Sequence, residues 1–178
     1  TNFGTISINK GSTLKYVEFK GGLSPVVDIN GNSDISNCKF ASAGPSGGKG
    51  NGARLSGTSG LTITYCSFNG NRGFGAEIMS GSVTFESCEF IGNQGSSSTA
   101  GGITNKAVAS VHNSNFSASA DYNYRNSSTV QDGTNNYWQA AGGVDPPTEP
   151  GILKKMSGAV TITGWKNAAI PNIGCGWK

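Results

Sequence analysis

The sequence predicts an all-β fold, a right-handed parallel β-helix or solenoid with about five coils and a C-terminal cap. Three features of the 178 residues indicate this fold. One eight-residue pattern that ends in phenylalanine recurs five times, apolar positions alternate with polar ones, and 28 glycines separate the short apolar runs. Because a short repeat cannot bury its apolar face alone, its copies must stack on one another.

The repeat consists of two short strands joined by a tight corner. Within each copy the apolar positions alternate with polar ones, and a two-residue corner then resets the phase of the alternation. The copies are residues 12–19, 33–40, 61–68, 83–90 and 109–116. Aligning them produces apolar columns, of which the clearest is Phe19, Phe40, Phe68, Phe90 and Phe116.

A third short strand precedes each of the later copies. It is visible at residues 27–29, 53–55, 76–78 and, less clearly, around Ile103. Three strands in each unit predict three parallel sheets, with a spacing of about 4.8 Å between neighbouring coils. The length of the unit varies only after the closing phenylalanine, so one corner carries the variable loops 41–52, 69–75 and 91–101.

An antiparallel sandwich also contains many short strands and glycine-rich turns. It does not explain why the same residue type returns at the same phase in successive units, whereas in-register stacking does. The sequence therefore favours the solenoid.

The chain is expected to form one domain of residues 1–178, since this length supports a single core. Three segments follow one another within it: stacked coils over 1–119, a final turn over 120–145 and a cap over 151–178. The prolines at 146, 147 and 150 cannot continue a central strand, so a surface connection is expected there. Residues 160–165 alternate like a strand that lies across the open end of the solenoid.

Three sequence elements resemble parts of known repeat families. The pattern C-x-F-x-x-N, present at residues 66–71 and 88–93, resembles repeats of the pectate-lyase-like right-handed β-helix superfamily. Together with residues 75–78 and 101–103, it is also similar to the repeats of chlamydial polymorphic outer-membrane proteins. The segment 135–138 resembles an element that ends many surface β-helices. The resemblance implies architecture and a secreted or cell-surface location, but the known catalytic motifs of polygalacturonases, pectin esterases and pectate lyases are absent.

The resemblance implies that a polysaccharide site would lie on the sheet that follows the variable loops. The outward column of that sheet contains Asp28, Arg54 and Glu77. One interpretation is a charge ladder that fixes the register of the strands. A second is a lyase with an arginine base and carboxylates that hold Ca²⁺. A third is an inverting glycosidase pair, because the two carboxylates would stand roughly 10 Å apart.

Aromatic residues concentrate late in the sequence and form a second candidate site. Exposed rings stack on sugar faces, so Tyr122, Tyr124 and Trp177, together with Trp138 and Trp165, are candidate ligand-binding residues. The alternative is that these rings cover the end of the solenoid, which would otherwise expose core and strand edges.

No cofactor or metal site is expected. Cys38, Cys66 and Cys88 fall in one inward column and are interpreted as packed thiols, while a zinc site would need ligands that converge tetrahedrally around the metal. The lone His112 lies at a corner. The net charge of +3 is spread without any long basic run, which argues against nucleic acid as a partner. No stretch of residues is long and apolar enough to insert into a membrane.

These features favour a non-catalytic extracellular or cell-surface module that is adhesive or binds a glycan. Ser, Thr and Asn fill most polar positions and only 13% of residues are charged, a composition typical of exported β-rich proteins. The alternative is a polysaccharide lyase or glycoside hydrolase fragment that acts on acidic polysaccharide. A rigid structural spacer is the third possibility. An enzyme is less favoured because the catalytic motifs are missing.

Overall fold

The computed structural model of the chain describes residues 4–22, 24–44, 50–94, 100–119, 121–140, 143 and 146–176. The first fifteen strands are β1 (Ile6–Asn9), β2 (Thr13–Lys15), β3 (Glu18–Lys20), β4 (Val27–Asn30), β5 (Asp34–Ser36), β6 (Lys39–Ala41), β7 (Ala53–Ser56), β8 (Thr58–Thr64), β9 (Ser67–Asn69), β10 (Phe74–Ile78), β11 (Gly81–Glu86), β12 (Glu89–Ile91), β13 (Gly101–Asn105), β14 (Val108–His112) and β15 (Asn115–Ser117). The later elements are β16 (Tyr122–Asn126), β17 (Gln131–Asp132), β18 (Tyr137–Trp138), α1 (Glu149–Leu153), β19 (Met156–Ser157) and β20 (Val160–Thr161).

The strands form three long sheets that wind around a common core. Sheet A has the order β1-β4-β7-β10-β13-β16-β19, sheet B the order β2-β5-β8-β11-β14, and sheet C the order β3-β6-β9-β12-β15-β18. Every strand pair within the described ranges is parallel, and each strand pairs with its counterpart one coil away. The predicted parallel solenoid of about five coils, with three strands in each coil, is confirmed.

The chain after the fifth coil departs from two predictions. Val160–Thr161 pair in parallel with Gln131–Asp132, so this segment adds to the stack and does not lie across its end. The proline-rich connection is exposed at residues 148–150, as expected, but it also begins α1. The side chain of Thr148 accepts a hydrogen bond from the Gly151 N–H, and Pro150 occupies the first turn, where no helical N–H is needed. The helix buries Ile152 in the core.

The corner between sheet B and sheet C has the same backbone conformation in each coil. Its second residue adopts a left-handed conformation with φ between 48° and 58° in Tyr16, Asn37, Tyr65, Ser87 and Asn113. A single left-handed residue turns the chain sharply and restores the alternation of inward and outward side chains. The two-residue corner predicted from the phase shift is therefore confirmed.

Phenylalanine rings stack along the core beneath sheet C. Each coil contributes one ring, and the centroids of neighbouring rings are 4.7 to 5.4 Å apart with nearly parallel planes. Trp138 continues the stack at 4.2 Å from Phe116, in the position that a closing phenylalanine occupies in earlier coils. This continuous apolar column stabilises the stack because neighbouring coils share one dry interface.

Asparagines satisfy backbone groups inside the corner that follows sheet C. Asn71 and Asn93 are fully buried, and the Asn71 amide donates to Asn93 Oδ1 at 2.9 Å. Asn71 also donates to the Phe40 carbonyl and accepts from the Ala43 N–H, while Asn93 donates to the Phe68 carbonyl. The final asparagine of the C-x-F-x-x-N motif therefore links each coil to the coil before it.

The three cysteines of the inward column are free thiols, as predicted, and Cys175 is a free thiol as well. Cys38, Cys66 and Cys88 are fully buried in one column, and Cys175 is buried elsewhere. The Cys38 N–H donates to Cys66 Sγ at 3.3 Å. Burial raises the pKa of Cys88 to about 12, so this thiol stays protonated and packs as a small apolar group.

Glycines in sheet A leave room for the rings of sheet C. A Cβ at Gly75 would lie 2.8 Å from Phe68 Cβ, and one at Gly102 would lie 2.7 Å from Phe116 Cδ1. These glycines belong to the repeated element at residues 75–78 and 101–103. Glycine recurs in this element because two sheets approach each other closely across a narrow part of the core.

We expect Gly102→Ala to lower the free energy of unfolding by about 2 kcal/mol, since the new methyl group would overpack a rigid site. The Asn123 carbonyl and the Phe116 ring both block it. Guanidinium titration followed by circular dichroism measures this loss. Gly4→Ala is the control, because nothing lies within 4 Å of its Cβ position. Equal stability of the two variants would contradict the packing argument.

The last described residues run back along the outside of the solenoid. We call residues 166–176 the C-terminal strap. Four successive coils hold it through hydrogen bonds from Lys166 N to Asn136 O, from Ile170 N to Asn115 Oδ1, from Gly174 N to Ser87 O and from Cys175 N to Ser67 Oγ. The strap thus crosses sheet C from the sixth coil, formed by β16 to β18, to the third coil, formed by β7 to β9. The described part of the chain contains no helix with the length and apolar character that crossing a lipid bilayer requires.

Candidate functional site

The outward column of sheet A brings the predicted charged residues together. Asp28, Arg54 and Glu77 are direct neighbours on consecutive strands. The same column continues in register through Thr104 and Arg125. The repeat pattern predicts the first three residues as neighbours, and the structure adds Thr104 and Arg125 to the same column.

Arg54 and Asp28 form a two-point ion pair. The guanidinium donates from Nε to Asp28 Oδ1 at 3.2 Å and from Nη2 to Oδ2, and the Asp28 side chain is only 16% exposed. Hydrogen bonding to Asp28 raises the pKa of Arg54 above its ordinary value. A raised pKa makes Arg54 less available as a general base, because its deprotonated form is populated even less at neutral pH. This half of the column matches the charge-ladder interpretation.

Glu77 has different partners. Asn51 Nδ2 donates to Glu77 Oε2 at 2.8 Å, and Lys106 Nζ lies 3.4 Å from Glu77 Oε1. Lys106 comes from the corner that follows β13, and Asn51 precedes β7. The carboxylate is therefore held from both sides, with Asn51 contributed by one of the variable loops.

A cleft of about 260 Å³ opens over the second half of the column. The residues that line it include Asn51, Phe74, Glu77, Thr104, Lys106 and Arg125. Lys106 is ion-paired with Glu77, whereas among the described residues no carboxylate lies within ion-pair distance of Arg125, which is half-buried. The cleft therefore contains one guanidinium whose hydrogen-bond donors are available to a ligand. Residues 45–49 and 95–99, the centres of the loops expected to flank this face, lie outside the described residues.

The late aromatic residues do not form one surface. Tyr124 is fully buried and donates its hydroxyl to the Ala109 carbonyl at 2.8 Å, and burial raises its pKa. Trp138 is fully buried in the ring stack. The prediction that Tyr124 and Trp138 bind a ligand is wrong, because neither ring is accessible. Both side chains point inward since β16 and β18 continue the stack in register.

The other three aromatic candidates differ in accessibility. Tyr122 is half-buried at the start of β16. Trp165 is half-buried against the core and lines a second cleft of about 370 Å³ with Glu149 and Val160. Trp177 lies outside the described residues. Of the five rings, Tyr122 and Trp165 therefore keep a described surface that a ligand can reach.

In the described ranges, no three His, Cys, Asp or Glu side chains converge to hold a metal ion. His112 lies on the outward face of sheet B. Its Nδ1 is 3.1 Å from Thr134 Oγ1, and its Nε2 is 3.8 Å from Asp132 Oδ2. These contacts tie the fifth coil to the sixth.

The two residues that continue the column beyond Glu77 could have been recognised in the sequence. Glu77 follows Ala76, Thr104 follows Ile103 and Arg125 follows Tyr124, so the three polar residues share one outward position in successive coils. Extending the alignment to residues 122–126 would have revealed both residues. The variable loop before β13 obscured the repeat at this point.

Comparison with known families gives one result. The family model described as "Right handed beta helix region" matches residues 3–140. Curated proteins and solved structures gave no significant match.

Proposed function

Because the chain belongs to the right-handed beta-helix family, we propose that it is a non-catalytic extracellular or cell-surface module that binds a glycan. The observation that carries this proposal is the polar cleft over Glu77, Thr104 and Arg125. An adhesive role would follow from such binding when the glycan belongs to another surface.

The cleft offers the chemical groups that an acidic sugar requires. Arg125 presents a planar set of donors, which suits a carboxylate through two parallel hydrogen bonds. Glu77, Asn51 and Thr104 provide acceptors and donors for sugar hydroxyls. From Glu77 to Arg125 the column spans two strand spacings, roughly 10 Å, which is long enough to contact more than one sugar unit.

An enzyme acting on acidic polysaccharide is the second candidate. The cleft contains a carboxylate, Glu77, beside a cation, and this arrangement favours the idea. Against it, both carboxylate oxygens of Glu77 already have partners, Asn51 Nδ2 on one side and Lys106 Nζ on the other. The pairing of Arg54 with Asp28 similarly disfavours an arginine base at that position.

We expect Arg125→Gln to weaken the binding of an acidic oligosaccharide by about tenfold or more, since a charge-assisted hydrogen bond contributes about 1.5–3 kcal/mol. Isothermal titration with oligogalacturonate measures this change. The matched control is Lys20→Gln, which removes one positive charge from the outward face of sheet C. Equal losses in the two variants would show that only net charge matters and would contradict a specific site.

Activity and binding assays on the same purified protein distinguish the three functional hypotheses. An increase in ultraviolet absorbance from unsaturated uronates, with Ca²⁺ added, would replace the binding module by a lyase. New reducing ends without that absorbance would indicate a hydrolase. Absence of both binding and turnover across acidic and neutral glycans would leave the rigid spacer.

A further inference from the structure

Two tyrosines stand out from the corner between sheet B and sheet C. Tyr16 is 69% exposed and Tyr65 is 46% exposed. They occupy the same left-handed position in the first and third coils, with Asn37 between them in the second. Neither ring contributes to the buried core.

The backbone at these positions does not favour tyrosine. A left-handed conformation is tolerated best by glycine and asparagine and is strained for a bulky side chain. Tyr16 has φ 58° and Tyr65 has φ 51°. Other coils place Asn37 and Asn113 at the same corner, so the turn itself does not require a ring. Strain without burial indicates that the two exposed rings serve a purpose other than stability.

The spacing of the rings matches a repeating ligand. Two coils separate the tyrosines, which places them roughly 10 Å apart along the solenoid axis. This distance is close to one disaccharide repeat of an extended 1,4-linked polysaccharide, in which alternate sugars present equivalent faces. Asn37 between the rings has a small side chain that leaves the gap open.

The surroundings favour a neutral ligand. On the sheet B side, Lys15 and Asp34 form an ion pair at 2.8 Å. On the sheet C side, Lys39 and Glu18 form another at 3.3 Å. These four charges are neutralised by their partners, and the carboxylate of Glu86, which lies beside Thr64 in the next coil, already accepts a hydrogen bond from Asn113 Nδ2. We therefore expect this corner not to select for a charged group.

We infer that Tyr16 and Tyr65 form a second saccharide site, which binds a neutral β-1,4-linked chain by stacking one ring against every second sugar. The site is separate from the sheet A cleft and needs no residue of it. Aromatic rings supply large contact area with little loss of side-chain freedom, so two of them suffice for weak and repeated binding along a polymer.

Tyr16→Asn, Tyr65→Asn and the double variant test this inference with cellohexaose and chitohexaose as probes. We expect each single substitution to weaken binding of one or both probes by about tenfold, and the double substitution to abolish it. Since asparagine suits the left-handed corner, we also expect the Tm to rise by about 2 °C for each change. Loss of binding with a gain in stability is a result that misfolding cannot produce.

Ser87→Asn is the matched control, because it introduces asparagine at the same corner of the fourth coil without removing a ring. It should leave binding of both probes unchanged. Wild-type binding by the double variant, or no binding of either probe by the wild-type protein, would overturn the inference. An unchanged or lower Tm would overturn the strain argument. Arg125→Gln should not affect the neutral probes, so failure here is distinguishable from failure of the sheet A cleft.

Discussion

Asn71→Ala is expected to lower the free energy of unfolding by about 4 kcal/mol and the Tm by about 10 °C. The side chain is fully buried and connects three coils. Its removal deprives the Ala43 N–H of its acceptor and the Phe40 carbonyl of a donor. It also breaks the bond to Asn93 Oδ1. Water cannot readily replace these partners in a closed corner, so the desolvation penalty remains.

Asn32→Ala provides the control for this measurement. Asn32 also makes two side-chain hydrogen bonds to the next coil, to the carbonyl and the N–H of Ser59. Because Asn32 is only half-buried, water can take over both bonds, and the expected loss is about 1 kcal/mol or less. Comparable losses for Asn71→Ala and Asn32→Ala in guanidinium unfolding would contradict the role assigned to burial.

Phe68→Ala is expected to cost about 4 kcal/mol, within the usual range for a buried aromatic ring. The Phe68 ring is fully buried between Phe40 at 4.9 Å and Phe90 at 4.8 Å, and Phe85 packs against it edge-on. The cavity would lie in the middle of the column, where neighbouring coils on both sides prevent collapse. Differential scanning calorimetry and chemical unfolding measure the loss.

Phe19→Ala tests whether position in the column determines the cost. Phe19 stacks on only one ring, Phe40, at 5.4 Å and is slightly exposed. Its loss should cost about 2 kcal/mol, since only part of the site is closed. A larger cost for Phe19→Ala than for Phe68→Ala would mean that the first coil contributes more to stability than the centre of the stack.

Much of the architecture was predictable because stacking in register requires periodic residues. The column that includes Phe40 and Phe68 marks the same phase in successive coils, and the corner at Asn37 and Tyr65 resets that phase. Sequence alone did not indicate what Asn71 does. The motif that contains it was recognised as a resemblance, whereas its hydrogen-bonding role depends on a neighbouring coil.

The orientation of the late aromatic side chains was harder to predict. The sixth coil lacks a closing phenylalanine, so Trp138 was not recognised as its substitute, and Tyr124 was not assigned to the inward face. Composition suggested an accessible cluster because tyrosine and tryptophan are common on binding surfaces. Only the register of β16 and β18 shows which ring points inward.

The charged column of the candidate site was predictable from the sequence, but the cleft beside it was not. The repeat predicts that Asp28, Arg54 and Glu77 are adjacent, because residues at the same position of successive coils become neighbours. The cleft depends in addition on Lys106 and Asn51, which come from corners whose geometry no repeat specifies. The ligand that the cleft accepts is a separate matter of chemistry and stays a prediction.

The C-terminal strap changes how the molecule would respond to force. A stack of coils held only by nearest neighbours can peel open one coil at a time from its end. The hydrogen bond from Cys175 N to Ser67 Oγ joins residues that are 108 positions apart in sequence, and it bypasses the intervening coils. Tension applied at residue 176 would act first on this anchor in the third coil, so the strap would have to shear before the last coils could unwind.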